Sequence, residues 1–533
     1  MDINILTSLS DNIRIDREKC TACGRCVEIC VLDNLRLQLS PCRKACPIGM
    51  NCQGYVHLIA KGDMEKGLEM VRDTVPLGGI LGRVCSRPCE AVCNRVKVDG
   101  RPVALRDLKR FLTDCDGQPY RPVMGQEFPQ RVAIVGAGPA GLTAAFYLRN
   151  WGFQVTLYDK ESAPGGLMRW AIPEFRLPQK MLERELGFIQ HMGIKFLGGR
   201  TLGIDFELRD LGKESDAILL AMGAHGKTQL GIRGEDVQHV FPVIEFMKKV
   251  RQKDPPRLSR RVVVIGGGNA AVDAAQTARR LGGEKVHLVS LEKRDEMSAF
   301  SWSVAEAEEE GIHIQNGWGP KGFRLKGKKL TGITFKKCTT VYDSQGRFSP
   351  TYDEKTTIEV PAETVILAIG QRPELDGLDP SLLGSIGILC DPVTFQTPNP
   401  KIFVAGDVIG GPKTIVEAMA QGKEAALSIQ RFLTKEDLYY GRGNGGIYEL
   451  SFEPDLSRAH PRSRVRVRSL PLSQRKRFRE VVRGYSKEEA MSEAERCLNC
   501  GMPFGLRSCW FCLPCEIECP EKALYVEIPY LLR

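Results

Sequence analysis

Short apolar runs that end at glycine recur through the middle of the chain, and stretches with apolar residues at helical spacing separate them. Arg131–Val135 (RVAIV) runs into GAGPAG, Val155–Tyr158 follows the next helical stretch, and Ala217–Ala221 ends in Met222-Gly223. The plan restarts at Val262–Ile265, which runs into GGGNAA, and continues with Val286–Val289. Thr364–Ile369 then ends in Gly370, and Ile402–Ala405 ends in Gly406-Asp407. Strands alternating with helices predict parallel sheets joined by right-handed crossovers. Two glycine loops about 130 residues apart predict two dinucleotide-binding domains. Residues 1–127 and 497–533 lack this alternation, and 436–496 are polar, rich in Arg, Gly and Pro.

The first loop is Gly136-Ala137-Gly138-Pro139-Ala140-Gly141. Its first glycine permits a tight turn, the second lets backbone approach a pyrophosphate, and the third lets helix pack on strand. Free N–H groups at the helix start favour phosphate. Asp159 ends the next strand, eighteen residues after Gly141, where a carboxylate can accept a ribose hydroxyl.

The second loop, Gly266-Gly267-Gly268-Asn269-Ala270-Ala271, has the G-x-G-x-x-A form. Glu292 follows Ala271 by twenty-one residues, where an acid selects the free 2′-hydroxyl of NAD. Lys293 and Arg294 come next and could instead meet the 2′-phosphate of NADP. Gly406-Asp407-Val408 precedes the helix IVEAMAQGKEAALSI. Together with the first loop it predicts a discontinuous domain that holds FAD, with the nicotinamide domain inserted.

Composition adds a different chemistry. The chain has 533 residues, 42% hydrophobic and 26% charged, which suits several soluble domains. Sixteen of its nineteen cysteines lie in 20–93 and 497–519. Cys509-x2-Cys512-x2-Cys515-x3-Cys519-Pro520 has ferredoxin spacing, and Cys20, Cys23, Cys26 and Cys30 repeat it without the proline. Zinc is the alternative for any single C-x-x-C pair. Cys115, Cys338 and Cys390 are isolated and read as ordinary thiols.

The net charge of +10 gathers partly in Arg458–Arg479, with Arg462, Arg464, Arg466 and Arg468 at alternate positions. No nucleic-acid-binding motif accompanies it, so it reads as a solvated strand or as a docking surface for an acidic partner. The start of the chain has no secretory pattern, and no apolar run approaches a membrane span, so a cytoplasmic protein is expected.

These residues resemble the small subunit of glutamate synthase and its relatives, which include the amino-terminal part of dihydropyrimidine dehydrogenase. The likeness rests on GAGPAGL, Gly165–Met168 with IPEFRLP, VIGGGNAAVD, TVILAIGQRP, IFVAGDVIGGPKTIVEAMAQGKEAA and EAERCLNCG. It implies FAD on Gly136, Gly138, Ala140, Gly141, Asp159, Gly166, Leu167, Arg176, Gly406, Asp407 and Thr414. It implies the nicotinamide cofactor on Gly266, Gly268, Asn269 and Ala271. NADP-using members carry basic residues near the positions of Leu291 and Glu292, so NADH is favoured here. It further implies a cluster domain of Cys42, Cys46-Pro47, Cys85, Cys89 and Cys93, in which Cys46, Cys85, Cys89 and Cys93 share one cluster. The family's C-x-x-C before Cys42 is missing and reappears as Cys497-x2-Cys500. Partners for Cys42 therefore come from the amino-terminal hairpin, the tail or Cys52.

The expected fold is α/β, with two Rossmann-like dinucleotide-binding domains, one inserted in the other. An amino-terminal α-helical iron–sulfur domain precedes them, and ferredoxin-like cluster segments lie at both termini. The expected divisions are 1–40 and 497–533 for those segments, 41–127 for the helical domain, 128–225 with 390–435 for FAD, 226–389 for NAD(P), and 436–496 for the connector. Three to four 4Fe–4S clusters are expected. The expected function is hydride exchange between NAD(P)H and FAD, then single-electron transfer to or from another redox subunit or ferredoxin. The alternatives are a stand-alone reductase of a small organic substrate, or the glutamate synthase small subunit itself. A scaffold that merely holds clusters would not need two complete dinucleotide sites.

Overall fold

The computed structural model describes residues 12–31, 34–116, 121–122, 124–411, 413–442, 456, 459–505, 509 and 512–527. The chain start behind the leader reading, most of GRGNGGIY, and Arg458 lie outside them.

Two short strands come first, β1 (Ile13–Ile15) and β2 (Leu35–Gln38). A helical lobe follows, built on α1 (Cys52–Ala60), α2 (Met64–Thr74), α3 (Gly78–Val84) and α4 (Leu105–Cys115). Asn51 and Asp63 start α1 and α2 by accepting the N–H of Gly54 and Lys66. On α4, Leu105, Leu108, Phe111 and Leu112 fall on one helical face and are buried.

The first dinucleotide domain has β3 (Arg131–Val135), α5 (Pro139–Asn150), β4 (Gln154–Asp159), β5 (Lys195–Gly198) and β6 (Ala217–Leu220). The inserted domain has β7 (Val240–Pro242), β8 (Arg261–Ile265), α6 (Asn269–Arg280), β9 (Lys285–Ser290) and β10 (His313–Asn316). An antiparallel sheet of β11 (Trp318–Lys326), β12 (Lys329–Tyr342) and β13 (Phe348–Pro361) follows, and β14 (Thr364–Leu367) returns to the inserted domain. The chain then re-enters the first domain with β15 (Ile402–Val404) and α7 (Ile415–Thr434). The parallel sheets run β15-β6-β3-β4-β5 and β10-β9-β8-β14-β7. Central strands such as β3 are buried on both faces, as helix-covered parallel sheets require.

The two domains turn their first strands with one device. Gly136 (φ +110°) and Gly266 (φ +142°) have left-handed backbone, and a Cβ on either would stand 2.2 Å from a carbonyl oxygen, of Ala221 or Ala368. Only glycine fits both constraints. One apolar core runs from the helical lobe into the first domain, from Val56 and Leu108 to Phe146 and Met419.

The tail carries α8 (Lys487–Ala494), β16 (Met502–Gly505) and β17 (Leu524–Val526). β17 pairs antiparallel with β1, Val526 opposite Ile13, and β16 pairs with β2, Gly505 opposite Leu35. Ile13, Cys26, Leu35, Cys515, Leu524 and Val526 form one small core. The ends expected as two ferredoxin-like segments thus fold as one unit. Strands of three or four residues cannot bury an apolar face alone, and each end supplies what the other lacks.

Among the described residues the Arg-rich connector forms no strand beyond an isolated bridge from Ser469 to Val482, and several of its arginines are paired while Arg466, Arg477 and Arg479 stay exposed. Arg464 pairs with Glu90 at 3.0 Å, Arg468 with Glu489 at 2.5 Å, Arg475 with Glu309 at 3.2 Å, and Arg462 with Glu495. Fully buried Arg496 bonds Glu493 (2.6 Å), Asp99 (2.8 Å) and the carbonyls of Arg101, Pro102 and Arg462. The connector is a strap across the helical lobe. No helix among the described residues is long and apolar enough to cross a membrane.

Candidate functional site

A cavity of about 610 Å³ lies where the first glycine loop faces the return segment, and this volume suits a cofactor. Gly136, Gly138, Ala140, Asp159, Gly166, Leu167, Gly406, Asp407 and Thr414 line it. Gly141 stands just behind, where a Cβ would meet the Gly136 oxygen at 1.9 Å. Asp159 is clamped, its two oxygens accepting Ala137 N–H (2.7 Å) and Glu161 N–H (2.8 Å). Burial pushes its carboxyl above the usual range. Asp407 accepts Lys413 N–H (3.0 Å), and burial raises it to about 6. Thr414 closes a capping box with Glu417 at the start of α7. These contacts leave a groove bordered by backbone N–H groups, small residues and a fixed carboxylate, which fits an adenine dinucleotide.

Arg176 lines the same cavity at its edge toward α6. Its guanidinium is held by Asp273, by Gln276 (2.8 Å), Ser303 (2.6 Å) and Glu306 (3.4 Å). It ties the first domain to α6 and its neighbour rather than presenting a free charge.

Asn269 belongs to the second loop and also lines the cavity, while accepting Phe300 N–H at 3.0 Å. Gly266, Gly268 and Ala271 shape the turn into α6. The Glu292 carboxylate lies over Gly267, where a Cβ would stand 2.3 Å from its Oε2. Both basic neighbours have partners: Lys293 pairs with Glu296 (3.7 Å) and Arg294 with Glu308 (2.6 Å). Three further cavity residues had no motif to announce them. Phe300 and Trp302 stack at 4.6 Å, and Arg87 lies 3.8 Å over the Trp302 ring. His225 is driven down to about 4 by burial and is neutral.

The sixteen terminal cysteines fall into four neighbourhoods of four. Cys20, Cys23, Cys26 and Cys519 line one small cavity. Cys515 interacts with Cys509, Cys512 and Cys30. Each ferredoxin-spaced motif thus sends its fourth cysteine to the other's set, the exchange known for two-cluster ferredoxins. Cys497 and Cys500 interact with each other, with Cys42 and with Cys93. Cys46, Cys52, Cys85 and Cys89 line a fourth cavity. The tail was one of the expected sources of partners for Cys42, and one expectation changes. Cys52 lies with Cys46, Cys85 and Cys89, because α1 begins at Cys52 and turns its first residue inward, where its thiol also meets that of Cys42. Cys93 instead joins Cys42 and the tail pair.

No three of these side chains among the described residues converge as a single metal ion requires. Zinc would draw its sulfurs to about 2.3 Å from one point. A cubane separates its thiolates, because each binds a different iron. Four cysteines to a neighbourhood is the ligand count of a 4Fe–4S cubane. Burial pushes Cys20, Cys500 and Cys515 up to about 11.

Against this geometry, the sequence profile of the pyridine nucleotide-disulphide oxidoreductases matches residues 130–422. The chain belongs to the pyridine nucleotide-disulphide oxidoreductase family. A second profile, dihydropyrimidine dehydrogenase domain II with its 4Fe-4S cluster, matches residues 10–119. The oxidoreductase is 34% identical over 503 residues to the NADP(+)-dependent formate dehydrogenase subunit beta of Moorella thermoacetica, spanning 86% of this chain and 70% of that one. It is 31% identical to the NADPH-Fe(3+) oxidoreductase subunit beta of Geobacter sulfurreducens, with 86% and 75% covered. It is 33% identical to the NAD-dependent dihydropyrimidine dehydrogenase subunit PreT of Escherichia coli, with 74% and 91% covered. The solved structure of Mycobacterium tuberculosis FprA in complex with NADPH shares the fold, at TM-score 0.51 and 18% identity over 58% of this chain and 85% of that one.

These matches agree with the expected kinship to the glutamate synthase small-subunit group. The oxidoreductase therefore has a fold that binds FAD and NAD(P), and a 4Fe-4S domain, and it is an FAD-dependent NAD(P)H oxidoreductase. The disulphide chemistry in the family's name has no counterpart in its inserted domain, where Cys338 is the sole cysteine of residues 226–389.

Proposed function

We propose that this oxidoreductase moves reducing equivalents between NADH and a docked redox protein, using FAD on the first glycine loop and four 4Fe–4S clusters on the four cysteine sets. FAD would be held by Gly136, Gly138, Ala140, Gly141, Asp159, Gly166, Leu167, Gly406, Asp407 and the Thr414 cap. NADH would be held by Gly266, Gly268, Asn269, Ala271 and Glu292. Bound FAD supplies the change between two-electron and one-electron chemistry, and the clusters supply single-electron carriers.

One observation carries the reading. Cys85 and Arg106 line both the large cavity and the cavity of Cys46, Cys52, Cys85 and Cys89. These shared lining residues support a cluster lying directly beside the cofactor. From there the sets adjoin one another. The Cys52 thiol faces the Cys42 carbonyl at 4.0 Å, and Asn51 donates to the Thr21 carbonyl beside Cys20 at 3.0 Å. Gln53 brackets Gly501, next to Cys500, through bonds to its N–H and carbonyl. The set of Cys30, Cys509, Cys512 and Cys515 lies outermost, with Cys512, Val31 and Ile517 exposed. A partner redox subunit or ferredoxin would dock there, in line with the subunit names of the relatives.

Glu292 supports NADH. Its carboxylate stands over the second loop, and the neighbouring cations are engaged by Glu296 and Glu308. A 2′-phosphate would meet like charge at that position. None of the nineteen cysteines forms a disulphide, which suits the cytoplasm.

Anaerobically purified protein is expected to carry about one FAD and about sixteen irons per chain. NADH is expected to reduce the bound flavin faster than NADPH. Stoichiometric zinc with negligible iron contradicts the cluster assignment, and preference for NADPH contradicts the role of Glu292.

A further inference from the structure

Buried cations in this chain are met by oxygen. Arg496 has carboxylates and carbonyls on every side, and Arg280 is paired with Glu310 at 2.5 Å. Such pairing is what a charge out of water requires. Lys109 differs from these two arginines. It lies on α4, is 7% exposed, and lines the cavity of Cys46, Cys52, Cys85 and Cys89. No ion pair to a carboxylate engages its ammonium among the described residues. Besides Tyr55, whose hydroxyl donates to the Leu105 carbonyl, the groups in its cavity that can carry negative charge are the four cysteine sulfurs.

We propose that Lys109 is a positioning residue for charge, raising the reduction potential of the cluster held by Cys46, Cys52, Cys85 and Cys89. The proposal rests on the reading of that set as a 4Fe–4S site. A cubane on four thiolates is net negative, and reduction adds one more electron. A fixed cation in a low-dielectric pocket stabilises the reduced form more than the oxidised form. The cluster beside the cofactor cavity is thereby made the easier one to reduce.

The test is an EPR-monitored redox titration of the full chain, purified anaerobically, as wild type, Lys109→Met, Lys109→Gln and Lys109→Arg. Iron and FAD are measured in each. The neutral variants are expected to keep both and to lower the midpoint of one cluster by a tenfold change in its equilibrium constant or more, which is about 59 mV for one electron. Lys109→Arg is expected to restore the wild-type midpoint. An unchanged midpoint in either neutral variant that retains its iron overturns the proposal. Loss of that cluster from both neutral variants, with retention in Lys109→Arg, also overturns it, because the role is then assembly and not potential. Cys52→Ser separates the two levels of the argument. If it leaves every cluster signal intact, the assignment of the site fails, whatever Lys109 does.

Discussion

In the two dinucleotide-binding domains the decisive contacts close within a short stretch of chain. Ala137 N–H meets Asp159 across 22 positions, and Phe300 N–H meets Asn269 across 31. In the cysteine-bearing regions the contacts run from one end of the chain to the other. The Asn12 side chain donates to the Cys509 carbonyl and accepts its N–H, 497 positions away, and Gln53 brackets Gly501 at a separation of 448. Each glycine loop with its strand and helix is a local device, and this chain carries it twice. A cluster site here is made by closing the chain on itself. Damage to a glycine loop should stay local, whereas damage to either terminus should reach ligands supplied by the other.

The largest effect should come from deleting everything after Gly505. Four cysteines leave with the tail, one of them from the set of Cys20, Cys23 and Cys26. Iron analysis is expected to show a loss of about eight irons per chain, two cubanes, although Cys20, Cys23, Cys26 and Cys30 remain. A loss of about four would restore the picture of two independent ends. The converse case is Gly136→Ala. Its Cβ would sit 2.2 Å from the Ala221 oxygen on backbone at φ +110°. FAD is expected to be lost while iron stays near the wild-type value, and concurrent loss of iron would show that the two regions are not separable.

Glu292→Ser probes the difference between the two acidic strand ends. Removing the carboxylate is expected to shift the ratio of kcat/KM for NADPH over NADH upward by about tenfold, equivalent to about 1.4 kcal/mol. An unchanged ratio would remove Glu292 from cofactor selection. The smallest effect concerns Asp407. Burial raises its carboxyl from 3.8 to about 6, so ionising it costs the folded state stability as pH rises through that window. The stability it lends is complete below the unfolded value and is gone above about pH 6. Asp407→Asn is therefore expected to raise the Tm of FAD-free protein at pH 8 and to leave it little changed near pH 4. A rise confined to low pH would reverse the sign and defeat the argument.

The same contrast governs what could be read from residues alone. Both glycine loops were legible, because a positive φ beside a carbonyl leaves only glycine and the strand and helix flank it directly. The ferredoxin spacing of the terminal cysteines was legible for the same local reason. The sharing of ligands was not. Spacing constrains neighbours in the chain, whereas Cys93 meets Cys497 and Cys500 only after the strap has crossed the helical lobe. Cys52 sits in no spacing motif, and its place in a set follows from where α1 begins. The pairing of Arg462, Arg464 and Arg468 was not legible, because Glu495, Glu90 and Glu489, the carboxylates they meet, lie on other elements. Arg176 was placed at the flavin by likeness of motif, and the motif says nothing about Asp273 and Ser303 across the domain boundary.

The interleaving of the two termini is tested most directly by paired serine substitutions with iron and EPR quantitation. Cys519→Ser and Cys23→Ser are each expected to lose the same cluster, so the double variant should lose no more iron than either alone, about four per chain. Cys519→Ser combined with Cys512→Ser should lose two clusters, about eight irons. The opposite pattern, additive loss with Cys23→Ser and none beyond the single variant with Cys512→Ser, would place Cys519 in the cluster of its own motif and contradict the account.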